Sequence, residues 1–277
     1  MVALAAAWQQ YEHIDVVPAV LCLMFALLMQ MDANLVNDYF DCIHGVDGEE
    51  RLGPERACSQ GWITLPAMRS GIAMVTLLAC VTGLPLVLWD GWECVVVGLA
   101  CVIFCFLYTT LFSRIALGDM LVLLFFGIVP VGYTFYFQSP HASILQIPVG
   151  VWILALAQGI ITDCLLLVNN FRDRDTDAAV GKITLVTLIG PKVTLCLFYG
   201  LGFLAIVLGL LGIRLLTGQH TMSASIMLII WFGYHERTGA VLRRIYRGKR
   251  LNMVLGMTAK SIILFATLVS FCLITQW

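Results

Sequence analysis

Charge is what this sequence has least of. Only 12% of its 277 residues are Asp, Glu, Lys or Arg, 60% are hydrophobic, and the mean hydropathy is +0.93. Soluble domains carry about twice that charged fraction, so a soluble fold is excluded and an integral membrane protein is expected. The signs almost cancel, at a net charge of −1 and a pI of about 6.5, which leaves no basic surface for a nucleic-acid partner. CxxC pairs are absent too, and no His stands at metal-ligand spacing from a Cys. The ten cysteines mostly interrupt apolar runs and read as small buried hydrophobes. No signal peptide with a small-residue cleavage site opens the chain. MVALAAAW is apolar but too short to span, and reads as the stub of a helix whose beginning is absent.

Long apolar runs are what the sequence has most of. Segments able to cross about 30 Å of hydrocarbon fall near 17–37, 66–88, 92–111, 118–137, 149–169, 192–215, 221–236 and 254–275. The expected fold is an all-α polytopic bundle of eight spans, forming one membrane domain over 1–277. Pro18, Pro66 and Pro148 sit near helix starts, whereas Pro85 and Pro130 sit late in theirs and predict kinks. Alternating the spans places every Lys and Arg except Arg214 on one side, so that face is expected to be cytoplasmic in a cell (inner) membrane. Asn37 and Asn170 each close the first helix of a four-helix set, which predicts two parallel halves around a central cavity.

Two acidic stretches end apolar runs: 34-NLVNDYFDCIHGVD-47 and 169-NNFRDRDTD-177. Asn34, Asn37, Asp38 and Asp41 recur at helical spacings, as do Asn169, Asn170, Asp173 and Asp177, so each set is expected on one helix face. A carboxylate at bilayer depth costs about 2.5 to 3.5 kcal/mol, which calls for a ligand or water. Either stretch alone reads equally well as a solvated helix cap. Together they suggest a diphosphate clamp, because Mg2+ takes one or two carboxylates and completes its shell with water and phosphate oxygens.

The loop at 38–65 carries Asp47, Arg51 and Arg56. Both arginines read either as phosphate donors beside the metal or as ordinary positive-inside charges. In the second loop Lys182, following Gly181, is the favoured phosphate contact, Arg172 has the same two readings as Arg51 and Arg56, and Arg174 is expected in water. Asp32 and Asp163 stand inside apolar runs. Asp163, seven residues before Asn170, shares the motif face and reads as a proton-handling or water-cavity group. The tract 242-LRRIYRGKR-250 reads as a juxtamembrane anchor, and His44 and His235 read as solvated loop residues.

The run NDYFDCIHGVDGEERLGPERA resembles the first aspartate-rich motif of the UbiA superfamily of intramembrane prenyltransferases. Its G-V-D…R-L-G-P-x-R continuation is most similar to the 1,4-dihydroxy-2-naphthoate prenyltransferases of menaquinone synthesis. NNFRDRDTDAAVGKITL resembles the second motif, ALGDMLVLLFFG the fourth-helix region and TAKSIILF the last helix. The resemblance implies a nine-span fold of which the first helix is truncated here, and a transfer of a polyprenyl group from its diphosphate to dihydroxynaphthoate with decarboxylation, giving demethylmenaquinone. It also implies that Asn37, Asp38, Asp41, Asn170, Asp173 and Asp177 hold Mg2+ and that Asp38, Asp41, Asp173 and Asp177 are catalytic. Asn34, Asn37, Arg51, Arg56, Asn170, Arg172 and Lys182 are then expected to bind diphosphate, with the lipid bilayer as the other partner. Tyr108, Phe112, Phe125, Phe126, Tyr133 and Phe135 are candidates for lining the prenyl channel. Alternatives are another aromatic acceptor such as 4-hydroxybenzoate or homogentisate, a transporter with acids in its helices, or an inactive scaffold.

Overall fold

The computed structural model describes residues 1–45, 51–139, 143–218 and 222–275, and they are helical with short connections. No strand occurs among them; an isolated bridge joins Ile115 to Ile183. In chain order the helices are α1 (Val2–Tyr11), α2 (Val16–Ile43), α3 (Leu65–Gly83), α4 (Val87–Asp90), α5 (Glu93–Thr110), α6 (Gly118–Leu123), α7 (Val129–Tyr136), α8 (Val149–Ala179), α9 (Leu185–Thr217), α10 (Met222–Ile245) and α11 (Leu251–Thr275). Asp47 of the first acidic stretch, and part of the expected external link at 138–147, lie outside the described residues.

Among the described residues seven stretches are long and apolar enough to cross a membrane: Val16–Ile43, Leu65–Trp89, Glu93–Arg114, Gly118–Tyr136, Val149–Ala179, Leu185–Thr217 and Leu251–Thr275. The chain is therefore a multi-pass membrane protein. The eighth expected span, 221–236, falls from its second residue onward on α10, which runs 24 residues but carries His235, Glu236, Arg237, Arg243 and Arg244 in its second half. This corrects the expectation of a solvated His235 beginning a loop. His235 is fully buried, stacks on Phe198 at a centroid distance of 4.3 Å, and its Nε2 lies 3.0 Å from the Phe198 carbonyl oxygen. Polar residues continue the helix because its inner face packs on α9, where Tyr199 covers Gly239 so closely that a Cβ would meet the ring at 2.4 Å.

The prolines act locally. Pro66 and Pro148 stand at helix starts, and Pro85 lies in a 3₁₀ turn, Leu84–Leu86, that interrupts the α3 span. Pro130 follows a π-helical turn, Leu124–Ile128, where the wider winding accommodates the missing N–H. In α9, Gly190 takes φ 75° and bends the helix before Pro191.

Burial divides the bundle. Within the apolar window of the α8 span 67% of residues are buried inside the protein, against 6% for that of α5. Helices α8 to α11 share the main cores, with Phe198, Trp231 and Phe265 among the buried side chains. Ala3, Ala5, Ala6 and Ala7 of α1 join that core, their small side chains permitting close approach. Helices α2, α3 and α5 bury little: apolar side chains such as Leu78, Val81, Val96 and Ile103 are exposed and do not line the cavity that these helices share with α6, α7 and α8. At the end of the bundle away from the motifs, Asp15 caps α2 by accepting from the Val17 N–H, accepts from Trp89 Nε1 at 2.9 Å, and through its backbone N–H and carbonyl bonds the side-chain amide of Gln138.

Candidate active site

Both acidic stretches are helical throughout, because α2 runs on to Ile43 and α8 to Ala179. Asn34, Asn37 and Asp41 line one wall of the cavity mouth; Asn169, Asn170, Asp173, Thr176 and Asp177 line the facing wall. With its amide turned to donate to Asp41 at 3.2 Å, Asn37 accepts from Arg56 at 2.8 Å. Arg56 also lies 4.0 Å from the Asp41 carboxylate and donates to the Asn34 carbonyl at 3.4 Å.

Asp38 corrects the expectation of four polar groups on one face. It does not line the cavity. Its carboxylate accepts from the backbone N–H of Ala57 at 3.0 Å and of Cys58 at 3.3 Å, so it fastens the loop after Arg56 to α2. That position is 6% exposed.

The second wall is built around Arg172, a buried side chain that binds Asp173 through Nε and Nη2 and Asn169 through Nη2 at 2.9 Å. Its Nη1 reaches Asn252 at 2.7 Å, and Asn252 in turn donates to the Leu52 carbonyl at 2.8 Å. Asn252 thereby ties α11 and the 51–64 loop to the second motif. It went unrecognised in the sequence because it stands in a basic stretch with no motif spacing. Gly53 lets the loop pass between two guanidinium groups: a Cβ there would lie 3.0 Å from Arg172 Nη2 and 3.3 Å from Arg51 Nη2.

Lys182 places Nζ 3.3 Å from Asp177 Oδ1 and donates its backbone N–H to the Asp177 carbonyl. The next residue is anchored, since Ile183 bonds to the Arg114 carbonyl and accepts from Ala116. Arg114 lines the same mouth. Arg174, expected in water, is instead 5% exposed, sandwiched at 4.4 Å over Phe171 and 4.9 Å over Tyr246, and donates to both of their carbonyls. His44 is exposed as expected.

The mouth concentrates positive charge. Burial, and then the neighbouring Arg56 charge, push the Arg51 guanidinium down from its ordinary value, Asp41 and Asp173 opposing them and Arg172 adding to them. Cations that destabilise one another in this way favour a polyanion arriving between them.

Below the mouth the cavity runs on, about 2090 Å³ in all, to Met1, Ile14 and Val16 at its far end. Its deeper wall is apolar, with Phe25, Phe104, Phe125, Phe126 and Tyr133 among the lining residues. Of the aromatic candidates, Phe112 does not line it and Phe135 is fully buried against Tyr11 in the core. Asp32 is also buried away from the cavity, accepting from Thr76 at 2.7 Å.

The donor set fits a divalent cation that arrives with its anion. Asp177 Oδ2 is buried without a partner, and Asp41, Asn170 and Asp173 face the same space. Among the described residues no three acids gather into a ready chelate. That is the pattern for Mg2+, which needs few protein carboxylates when a diphosphate fills its remaining positions.

The family model described as the UbiA prenyltransferase family matches residues 1–274. The chain is 36% identical over 201 residues to the 1,4-dihydroxy-2-naphthoate octaprenyltransferase of Escherichia coli (strain K12), covering 69% of this chain and 63% of that protein. Against the protein of the same name from Haemophilus influenzae (strain ATCC 51907 / DSM 11121 / KW20 / Rd), identity is 31% over 192 residues, covering 66% and 61%. The matches thus cover a little under two thirds of the length of these curated relatives. A solved UbiA homolog from Archaeoglobus fulgidus, bound to DMAPP and Mg2+, superposes with a TM-score of 0.63 at 14% identity, covering all of this chain and 94% of that one. The fold is shared.

Proposed function

Since this chain belongs to the UbiA prenyltransferase family, we propose that it transfers a polyprenyl group from an isoprenoid diphosphate to 1,4-dihydroxy-2-naphthoate, with loss of the carboxylate as CO2, giving the quinol form of demethylmenaquinone. One observation carries the reading: two facing walls of Asn and Asp, ringed by Arg51, Arg56 and Lys182, form the mouth of a deep apolar cavity. A diphosphate with a long hydrocarbon tail has that shape and polarity. The dihydroxynaphthoate acceptor is supported by the names of the bacterial relatives.

In this reading Asn37, Asp41, Asn170, Asp173 and Asp177 hold Mg2+, which would screen the diphosphate charge and help it depart. Arg51, Arg56 and Lys182 take phosphate oxygens, and Arg172 holds Asp173 in position. Asn34 supports Arg56 through its carbonyl. Asp38 secures the loop that carries the arginines and is neither ligand nor base. The apolar wall keeps the allylic cation from water until the electron-rich ring attacks C1. The motifs stand on the cytoplasmic side of a cell (inner) membrane, in keeping with the one-sided distribution of Lys and Arg.

The test is prenyl transfer by purified protein in detergent, with 1,4-dihydroxy-2-naphthoate, a short allylic diphosphate, and either Mg2+ or a chelator. Metal-dependent formation of decarboxylated, prenylated product is expected. Product with 4-hydroxybenzoate alone would retain the reaction and overturn the acceptor.

A further inference from the structure

The seam between α8 and the stretch made of α6 and the π-helical turn after it carries a second polar surface that the diphosphate machinery does not use. Gly127 and Gly159 create it by close approach: a Cβ on Gly127 would fall 2.7 Å from the Ala155 carbonyl oxygen, and one on Gly159 3.0 Å from that of Leu123. The two helices run antiparallel, so pairing 127 with 155 and 123 with 159 brings Asp119 level with Asp163. Tyr108 closes the same corner, since a Cβ on Gly118 would lie 3.4 Å from its ring and 3.7 Å from its hydroxyl.

Three polar atoms on this surface are buried without a hydrogen-bond partner: Oδ1 of Asp119, Oδ1 of Asp163 and Oε1 of Gln158. Asp163 is 5% exposed, and Asp119, Gln158 and Tyr108 line the cavity. With the carboxyls ionised these oxygens are hydrogen-bond acceptors, and Asp119 and Gln158 offer theirs to the cavity. A ligand that fits them brings donors, and neither a diphosphate nor a prenyl chain has any. Aromatic hydroxyl groups do. Asp163 precedes Asn170 by two helical turns, roughly 10 Å along α8, which places these acceptors below the diphosphate and beside the start of the prenyl chain.

We infer that Asp119 and Gln158 form the subsite for the hydroxyl groups of the aromatic acceptor, with Asp119 taking the phenolic proton and Asp163 supporting it from behind the cavity wall. The inference rests on the prenyl-transfer reading above. As a ring carbon ortho to the hydroxyl bonds to C1, the C1–O bond breaks and its electron pair leaves with the diphosphate. The hydroxyl proton passes to Asp119, and the ring remains as a keto carboxylate; loss of CO2 and return of that proton to the resulting enolate give the prenylated quinol. Asp163, facing Asp119 across the seam, accepts the hydrogen bond of the carboxylic acid so formed. Asp163 is thus a positioning residue, and Asp119 touches the substrate.

The experiment uses the full chain in detergent with Mg2+, a short allylic diphosphate, and two acceptors: 1,4-dihydroxy-2-naphthoate and its analogue lacking the 4-hydroxyl. For Asp119→Asn and Asp163→Asn, kcat/KM for the dihydroxy acceptor is expected to fall by about 100-fold and about tenfold respectively, with donor KM and donor binding unchanged. Gln158→Leu is expected to raise the KM of the dihydroxy acceptor while leaving that of the analogue as it was. Retained donor binding shows that each variant is folded. Unaltered transfer in both Asp variants would overturn the inference, as would an equal loss of donor binding, which would assign the pair to the diphosphate. A wild-type protein that binds donor but prenylates no hydroxylated aromatic would overturn the underlying reading itself.

Discussion

Arg172 closes on Asp173, its neighbour in sequence, through two hydrogen bonds: Nε to Oδ1 at 2.7 Å and Nη2 to Oδ2 at 2.5 Å. The same guanidinium holds Asn252, so it sets both the carboxylate and the loop above it. Arg172→Gln should leave Asp173 unpositioned and lower kcat/KM for the donor by about 100-fold, the scale on which lost electrostatic stabilisation is felt. Asn252→Ala removes the loop tie and one acceptor of the Arg172 guanidinium, but leaves both Arg172 bonds to Asp173 in place. A loss of about fivefold, with faster proteolysis in the 51–64 loop, is expected there. Equal losses in the two variants would contradict the division of labour.

Asp38 and Asp41 are three residues apart and should fail differently. Asp38→Asn replaces an oxygen by an NH2 group facing a backbone N–H, so one of the Ala57 and Cys58 amides loses its acceptor. The expected result is a destabilisation of about 1 to 3 kcal/mol in detergent melting, with activity reduced through the loop. Asp41→Asn should melt like the parent and lose about 100-fold in turnover at saturating Mg2+. The reverse pattern would make Asp38 the ligand.

The sequence read well where one physical rule dominated. Apolar length fixed seven of the eight spans, and the three-and-four spacing of Asn and Asp brought both motifs to one cavity. It read poorly where burial was decided by a partner distant in sequence. Nothing near His235 announces Phe198, and nothing near Arg174 announces the Tyr246 ring, so both polar residues were assigned to water. Asp38 shares the helical spacing of its neighbours, and only the turn at Ala57 reveals where it points. Asp119 and Gln158 were overlooked for a simpler reason: one stands at a helix start and the other inside an apolar run, and neither repeats at motif spacing.

Gly127 offers a test of the fold that is independent of chemistry. Gly127→Ala puts a methyl group 2.6 Å from the Gly159 Cα, and backbone cannot rotate away as a side chain can. The α6–α8 seam must open, at a cost of about 1 to 3 kcal/mol. Gly233 in α10 has open space around it. Gly233→Ala should therefore stabilise the helix by about 0.5 to 1 kcal/mol. Thermal melting in one detergent compares them directly, and a neutral Gly127→Ala would show that the helices do not meet as closely as described.

Lys182 faces two ligands of opposite sign, which gives its removal a split signature. Its ammonium sits 3.3 Å from Asp177, so it competes with a free cation at that carboxylate while attracting the diphosphate. Lys182→Met should raise the donor KM by about tenfold, equivalent to about 1.4 kcal/mol of lost anion attraction. The Mg2+ concentration giving half-maximal rate, titrated at saturating donor, should stay the same or fall. Methionine retains most of the side-chain length, so the Ile183 bridge should persist. Were donor KM and Mg2+ requirement to rise together, Lys182 would instead be holding Asp177 in place for the metal, and the phosphate contact would have to come from Arg51 and Arg56 alone.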